Sequence, residues 1–206
     1  ARRIVSLAPH ITELVYAIGA GDKLVGNVDF GEYPSAARAV PKVGGYDRLD
    51  LEAIVGLKPD LLLAWQGGNT PAAIAKLKSL GFAVYLSEPG RIEDVATELE
   101  RIGRLAGTQP VADAAAAAFR QRYRRLRERY SGRPMVDVFY QVWKDPLMTV
   151  NGQQVISDAI ALCGGRNIFA QLPVLAPPVS VQAGSPPPPG AHPGHRPGGR
   201  RPGRPA

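Results

Sequence analysis

The sequence predicts an α/β fold with a mainly parallel sheet covered by helices on both faces. Residues 1–108 alternate short apolar runs with segments whose apolar residues recur at helical spacing. Glycine or proline separates most of these segments from the next. This alternation favours parallel pairing, because each helix carries the chain back to the starting edge of the sheet. Ligands of such sheets gather at the carboxyl ends of the strands.

Each element is predicted from an apolar run or a helical period and its boundaries. The predicted strands are 3–7, 24–28, 60–65 and 83–86. The predicted helices are 11–18, 50–58, 71–80 and 92–105. Gly19 and Gly21 stop the first helix, and Pro59 limits the second. Pro71 suits the first turn of the third helix, and Gly81 follows its end.

A long helix at about 111–130 separates this region from a second α/β unit. DAAAAA followed by FRQRYRRLRERY is typical of a strong helix that ends near Ser131 and Gly132. A strand is then predicted at 135–142 and a helix at 154–162, with the irregular segment WKDPLMTVNG between them. One strand and one helix cannot close a core by themselves, so the second lobe is expected to be incomplete.

The composition restricts the classes of function. The 206 residues carry a formal net charge of +7, but four arginines fall in residues 184–206, which leaves +3 for the rest. The arginines of the long helix point around most of its circumference, which favours a solvated helix over a basic binding face. The apolar runs are too short to cross a membrane. Cys163 is the single cysteine and cannot form an internal disulfide.

No catalytic or metal-binding motif stands out. The sequence lacks a G-x-S-x-G nucleophile motif, a phosphate-binding P-loop, a dinucleotide fingerprint and Cys/His zinc spacing. Gly19 and Gly21 end a helix rather than open one, so they are interpreted as a cap. The histidines are His10, His192 and His195. We therefore predict no catalytic residue, no bound metal, no cofactor and no enzyme activity.

Aromatic residues lie just past the predicted strands, where a cleft would open. They are Phe30, Tyr33, Tyr46, Trp65 and Trp143. Aromatic rings mostly fill cores, but each of these lies in sequence rich in Gly, Pro, Asp or Asn, as in loops. A cleft lined by such residues with few charges suits a large, planar, partly apolar ligand.

Several segments resemble the periplasmic binding proteins of bacterial ABC importers that take up vitamin B12, in a cluster that also binds iron siderophores and haem. They are SLAPHITEL, GNVDFGEYP, LDLEAIVGLKPDLLLAWQGGN, LMTVNGQQVISDAIALCGGRNIF and LPVLAPPVS. The resemblance runs from residue 2 to about 183 and is most specific at AWQGGN and LCGGRNIF.

This resemblance implies two α/β lobes joined by one long helix, with the ligand between them and little movement on closure. The implied division is an N-terminal lobe at 1–108, the interlobe helix at 109–132 and a partial C-terminal lobe at 133–183. Residues 184–206 form the remaining tail. It also implies a periplasmic location, with cobalamin as transported ligand rather than cofactor, an ABC permease as partner, a monomeric state and no nucleic acid.

The resemblance also carries over a set of candidate ligand-binding residues. By position they are Pro9, His10, Phe30, Tyr46, Trp65, Gly67 and Trp143. Phe30 and Tyr46 differ in type from the Tyr and Trp of the best-known member, but both remain planar. Glu52 matches a carboxylate that docks one lobe onto an arginine of the permease; the alternative is an ordinary acid of the first helical turn.

The end of the sequence departs from the family pattern. Gln182 occupies the place of a second docking carboxylate, and the residues from Gly184 are Gly, Pro, Arg, His, Ala and Ser only. Out-of-frame reading of GC-rich codons yields such residues, so our hypothesis is a frameshift near 182–185; a genuine Pro/Arg-rich tail is the alternative. In both cases we expect disorder, with polyproline character at 186–189.

Two classes of function stay open from the sequence. The leading one is a solute-binding protein for cobalamin or a related corrinoid, impaired in binding and import by the missing part of the second lobe. Haem or a siderophore is the alternative ligand of the same fold, although the candidate loops lack arginines for an anionic chelate. The alternative of another class is a nucleic-acid-associated protein that uses the arginine-rich helix and tail.

Overall fold

A four-stranded parallel sheet forms the first lobe. The computed structural model describes residues 1–45 and 47–180. The strands are β1 (Ile4–Ser6), β2 (Leu24–Gly26), β3 (Leu61–Trp65) and β4 (Val84–Ser87), in the spatial order β2-β1-β3-β4. All three pairings are parallel. The predicted parallel α/β fold is thus confirmed, and the direction of strand addition reverses between β1 and β3.

The described part of the first lobe has four helices, and two of them begin at an N-cap side chain. They are α1 (Pro9–Ala17), α2 (Leu51–Gly56), α3 (Pro71–Ser79) and α4 (Ile92–Ala106). The Asp50 side chain accepts a hydrogen bond from the Ala53 N–H at 2.9 Å, and the Thr70 hydroxyl accepts one from Ala73 at 3.3 Å. Two short 3₁₀ helices, Gly21–Lys23 and Ser35–Ala39, were not predicted.

The strands alternate their side chains between two separate cores. Ile4 and Leu63 face the core that α1 and α4 cover, whereas Val5, Leu62 and Ala64 face the opposite core. Ile54 of α2 and Leu77 of α3 close that second core. Burial on both faces explains why these strands are apolar at consecutive positions rather than at alternate ones.

Helix α5 (Gln109–Tyr130) connects the first lobe to the second. It packs along α4, and the approach is closest at Gly103, where an added Cβ would lie 2.1 Å from the Cβ of Ala112. Arg120 of α5 also forms an ion pair with Glu100 of α4. Arg122, Arg124 and the other arginines towards the end of α5 are exposed. The helix is therefore attached firmly to the first lobe at its N-terminal half.

The second lobe contains a two-stranded parallel sheet, β5 (Val136–Val138) and β6 (Gly165–Asn167), and helix α6 (Val155–Leu162). The strand predicted at 135–142 is therefore too long, because β6 offers only three residues to pair with it. Strand β6 was not predicted. Within the described residues, the hydrophobic clusters contain no residue of this lobe, and Val136 is 62% exposed. Apart from proline, Val150 is the one buried apolar side chain among the described residues of this lobe, so its apolar core is small, in agreement with the predicted incomplete lobe.

Candidate functional site

A cavity of about 780 Å³ opens between the two lobes. From the first lobe it is lined by residues that follow three parallel strands: His10 after β1, Trp65 and Gly67 at the end of β3, and Glu88 after β4. The reversal of strand order lies between β1 and β3. In open α/β sheets a crevice at this point is the usual place for a ligand.

The second lobe supplies an uncharged wall to the same cavity. Gln153, Gln154 and Val155 come from the start of α6, and Leu175 and Ala176 come from the segment near the end of the described chain. Their amide and aliphatic groups can donate and accept hydrogen bonds or pack against an apolar surface, but they carry no charge.

Trp65 and His10 form an aromatic pair at the cavity wall. The ring centroids lie 5.3 Å apart and the ring planes meet at 88°. Burial lowers the pKa of His10 below its ordinary value of 6.5, and the negative charge of Glu98 opposes this shift only in part. At neutral pH the imidazole is therefore uncharged and can present a free nitrogen to a ligand.

Asn69 holds the loops after β1 and β3 together. Its side-chain N–H donates to the Leu7 carbonyl at 2.8 Å, and its Oδ1 accepts from the Trp65 N–H at 2.7 Å. Asn69 is buried. It therefore fixes the position of Trp65 relative to the segment between β1 and α1, which precedes His10. Sequence reasoning missed Asn69, although it ends the AWQGGN segment that carried the resemblance.

The indole of Trp65 lies over the two glycines of the same loop. An added Cβ at Gly68 would fall 2.0 Å from Trp65 Cε3, and one at Gly67 would fall 3.1 Å from Nε1. Gly68 therefore permits the close approach of the ring, whereas Gly67 borders the cavity.

Two carboxylates lie at the cavity. Asp94 is occupied by its own helix terminus, because its Oδ2 accepts hydrogen bonds from the N–H groups of Gly90 at 3.1 Å and Arg91 at 2.8 Å. Glu88 is exposed. Among the described residues that line this cavity, none is lysine or arginine. The charge of the wall is therefore negative, which disfavours an anionic ligand.

The structure brings together only part of the predicted site. His10, Trp65 and Gly67 line the cavity, and Pro9 precedes His10 as the first residue of α1. Phe30 is 83% exposed with a positive φ of 63°, and Trp143 is 62% exposed with its indole N–H donating to the Asp145 carbonyl. Neither residue lines this cavity. Their roles stay predictions.

Other predicted features lie apart from the cavity or outside the described residues. Glu52 is exposed in the first turn of α2, and within the described chain it has no ion-pair partner. Tyr46, Gln182 and the tail at 184–206 lie outside the described residues. Within residues 1–45 and 47–180, no group of His, Cys, Asp and Glu side chains could hold a metal ion. No helix of this part is both long and apolar enough to span a membrane.

The sequence is similar to one protein family and to curated proteins of known name. A family model described as periplasmic binding protein matches residues 4–189. The vitamin B12-binding protein of Vibrio cholerae is 40% identical over 182 residues, which is 88% of this chain and 66% of that protein. The vitamin B12-binding protein of Yersinia pestis is 39% identical over 180 residues, covering 87% of this chain and 64% of that protein. The chain thus spans less than two thirds of these relatives.

Solved structures agree with the fold. The crystal structure of the periplasmic vitamin B12-binding protein BtuF of Vibrio cholerae has a TM-score of 0.83 and 40% identity, over 88% of this chain and 71% of that one. The periplasmic haem-binding protein RhuT from Roseiflexus has a TM-score of 0.74 and 25% identity, over 89% of this chain and 72% of that one. Each of these relatives is named for the solute that it binds. With the matched family model and the 40% identity, the chain belongs to the periplasmic binding protein family.

Proposed function

We propose that this protein binds a corrinoid, cobalamin or a close relative, as the cargo of an ABC importer. The observation that carries the proposal is the interlobe cavity, which combines the Trp65 and His10 rings with an amide and aliphatic wall and has no lysine or arginine among its described lining residues. A corrinoid offers a broad, partly apolar ring edged with neutral amides, which suits this wall. Relatives named as vitamin B12-binding proteins support the same ligand.

Haem is the second candidate, because a neutral imidazole at the cavity is a common ligand of haem iron. The cavity charge argues against it. Haem carries two carboxylates, and many ferric siderophores are anionic, whereas the described wall contains Glu88 and Asp94 and no arginine to pair with a carboxylate. Cobalamin therefore ranks above both ligands.

The proposal includes a periplasmic location, a monomeric state and an ABC permease as partner. Glu52 suits a docking role, because its carboxylate lies exposed on α2 and within the described residues is not engaged in an ion pair. An exposed, unpaired carboxylate is free to form charge-assisted hydrogen bonds with an arginine of a partner.

The test uses the two tryptophans as separate reporters. Trp65 lines the cavity and Trp143 does not. The variant Trp143→Phe therefore keeps Trp65 as its single tryptophan, and Trp65→Phe keeps Trp143. We expect cyanocobalamin to quench the fluorescence of Trp143→Phe saturably and that of Trp65→Phe much less. Calorimetric titrations of both variants measure affinity independently of fluorescence.

Two further arms separate the alternatives. Haem titrated under the same conditions should bind more weakly than cyanocobalamin, and the reverse order would favour haem. Corrinoid binding should persist in high salt, whereas nucleic-acid binding through the exposed arginines would fall steeply. A lack of saturable cyanocobalamin binding by calorimetry would overturn the proposed function.

A further inference from the structure

A second cavity, of about 340 Å³, lies where α4, α5 and α6 meet. We call it the junction pocket. It is lined chiefly by Arg91 before α4, by Tyr123, Arg127 and Tyr130 of α5 and the following Ser131, and by Asp158 of α6. It shares no lining residue with the interlobe cavity described above. Its volume falls at the lower end of the range of small-molecule sites.

The two guanidinium groups at the junction pocket lack a carboxylate partner. Four arginines of the described chain form ion pairs, among them Arg120 with Glu100 and Arg166 with Asp137. Within the described residues neither Arg91 nor Arg127 takes part in an ion pair.

The acid of the junction pocket is already engaged with the other lobe. The Oδ2 of Asp158 accepts a hydrogen bond from the Ile92 N–H at 2.8 Å. This carboxylate therefore already stabilises the N-terminus of α4. Further positive charge lies close by, because the guanidinium groups of Arg129 and Arg133 lie 5.7 and 5.0 Å from the ring centroid of Tyr130. The potential at the pocket is therefore positive.

Tyr123 adds a hydroxyl group to the junction pocket. The residue as a whole is only 8% exposed, and it lines the pocket. Its hydroxyl forms no hydrogen bond with a described residue and is not fully buried, so it stays accessible from the pocket. It can therefore donate a hydrogen bond to a ligand there, beside two unpaired guanidinium groups.

We infer that the junction pocket binds a phosphate group, free or as a small phosphate ester. Guanidinium groups match phosphate oxygens through paired N–H donors, and a tyrosine hydroxyl can supply a further donor. The cavity has room for an organic substituent beyond the phosphate itself. A ligand there would contact the start of α4, the end of α5 and α6 at once, and so would hold the two lobes in one relative orientation.

Calorimetric titration with inorganic phosphate and with glycerol 3-phosphate tests this inference. We expect saturable binding by the intact protein at constant ionic strength. Arg91→Gln and Arg127→Gln should each weaken binding by about tenfold or more, and Tyr123→Phe by a few-fold. Arg125→Gln is the matched control, because it removes the same charge from an exposed position of α5 that does not line the pocket.

Sedimentation with lipid vesicles distinguishes the source of the phosphate. Binding to phosphatidylglycerol vesicles, but not to phosphatidylcholine vesicles, that is lost in Arg127→Gln and kept in Arg125→Gln would identify a lipid headgroup. If none of these probes binds saturably, the inference is overturned. The same holds if Arg125→Gln weakens binding as much as Arg91→Gln and Arg127→Gln do. Cyanocobalamin binding should be unchanged in all these variants, so the two proposals fail separately.

Discussion

The imidazole of His10 meets the indole of Trp65 edge to face, at a centroid distance of 5.3 Å. This arrangement is favourable for aromatic rings, because the positive edge of one faces the negative face of the other. His10 lies at the start of α1, just after β1, and Trp65 is the last residue of β3. These two strands are adjacent in the sheet but far apart in sequence. The pair therefore links the adjacent ends of two strands directly at the cavity wall.

Acidification should destabilise the protein through His10. Burial lowers its pKa in the folded state below 6.5, so the unfolded chain binds more protons as the pH falls through that value. The free energy of unfolding should therefore decrease below about pH 6.5. His10→Gln removes this contribution. Between pH 7.5 and pH 5, the melting temperature should fall less in His10→Gln than in the parent protein. An equal fall would show that His10 does not titrate in this way.

Gly68→Ala should displace the indole of Trp65 and weaken cyanocobalamin binding several-fold, because the added Cβ would lie 2.0 Å from Cε3. The emission spectrum of Trp65 in a Trp143→Phe background reports the displacement, and calorimetry reports the affinity. Gly56→Ala is the control, since a Cβ there has no neighbour within 4 Å. Unchanged emission and affinity in Gly68→Ala would contradict the predicted packing.

Tyr85→Phe should lower the free energy of unfolding by about 2 kcal/mol, the typical contribution of a hydrogen bond to a charged group. The Tyr85 hydroxyl donates to the buried carboxylate of Glu98 at 2.9 Å, and burial together with this bond raises the pKa of Tyr85. Arg101 remains as the other partner of Glu98 at 3.2 Å. Urea denaturation measures the change. Tyr33→Phe, at a 70% exposed position, should change stability by less than about 0.5 kcal/mol.

Hydrogen exchange should distinguish the two lobes. The amides of Val136 and Ile168 bond across the two-stranded sheet, whereas those of Leu7 and Leu62 lie in the buried first sheet. Without a hydrophobic cluster in the described second lobe, local opening is easier there. We expect exchange at least about a hundredfold faster at Val136 and Ile168. Similar protection in both lobes would mean that the second sheet is stabilised by contacts other than these.

Glu52→Gln should reduce binding to a purified permease without changing cyanocobalamin affinity. The substitution removes the charge that would pair with an arginine, so docking should weaken by roughly ten- to a hundredfold. Surface plasmon resonance on permease in nanodiscs measures this. Glu13→Gln, another exposed acid of the first lobe, is the control. Equal docking by Glu52→Gln and the parent protein would assign Glu52 to an ordinary role in the first turn of α2.

Local sequence predicted the first lobe well, because its strands and helices are defined by their own residues. The strand predicted at 60–65 forms at Leu61–Trp65, and the helix predicted at 71–80 forms at Pro71–Ser79. The second lobe was harder. Strand β6 has the sequence Gly-Arg-Asn, which has little strand propensity, and it forms through parallel pairing with a distant segment. The extent of β5 depends on that same partner.

The site was predicted only where chain position also determined side-chain direction. His10 follows β1 and Trp65 ends the adjacent parallel strand β3, so the sheet places both at one edge. Phe30 lies in a loop whose sequence does not specify which way the ring faces, and it is exposed. Gln153 and Glu88 are ordinary polar residues in sequence, and their approach across the lobes depends on tertiary structure.

The missing Cβ of Gly103 also determines where the molecule can bend. The backbone of α4 at Gly103 packs directly against the Ala112 side chain of α5, so the two helices should move as one rigid unit with the first lobe. Backbone flexibility is then expected mainly in the turn at 131–134, where Gly132 has a φ of 79°. We therefore expect any change in the angle between the two lobes to arise at this turn rather than within α4 or α5.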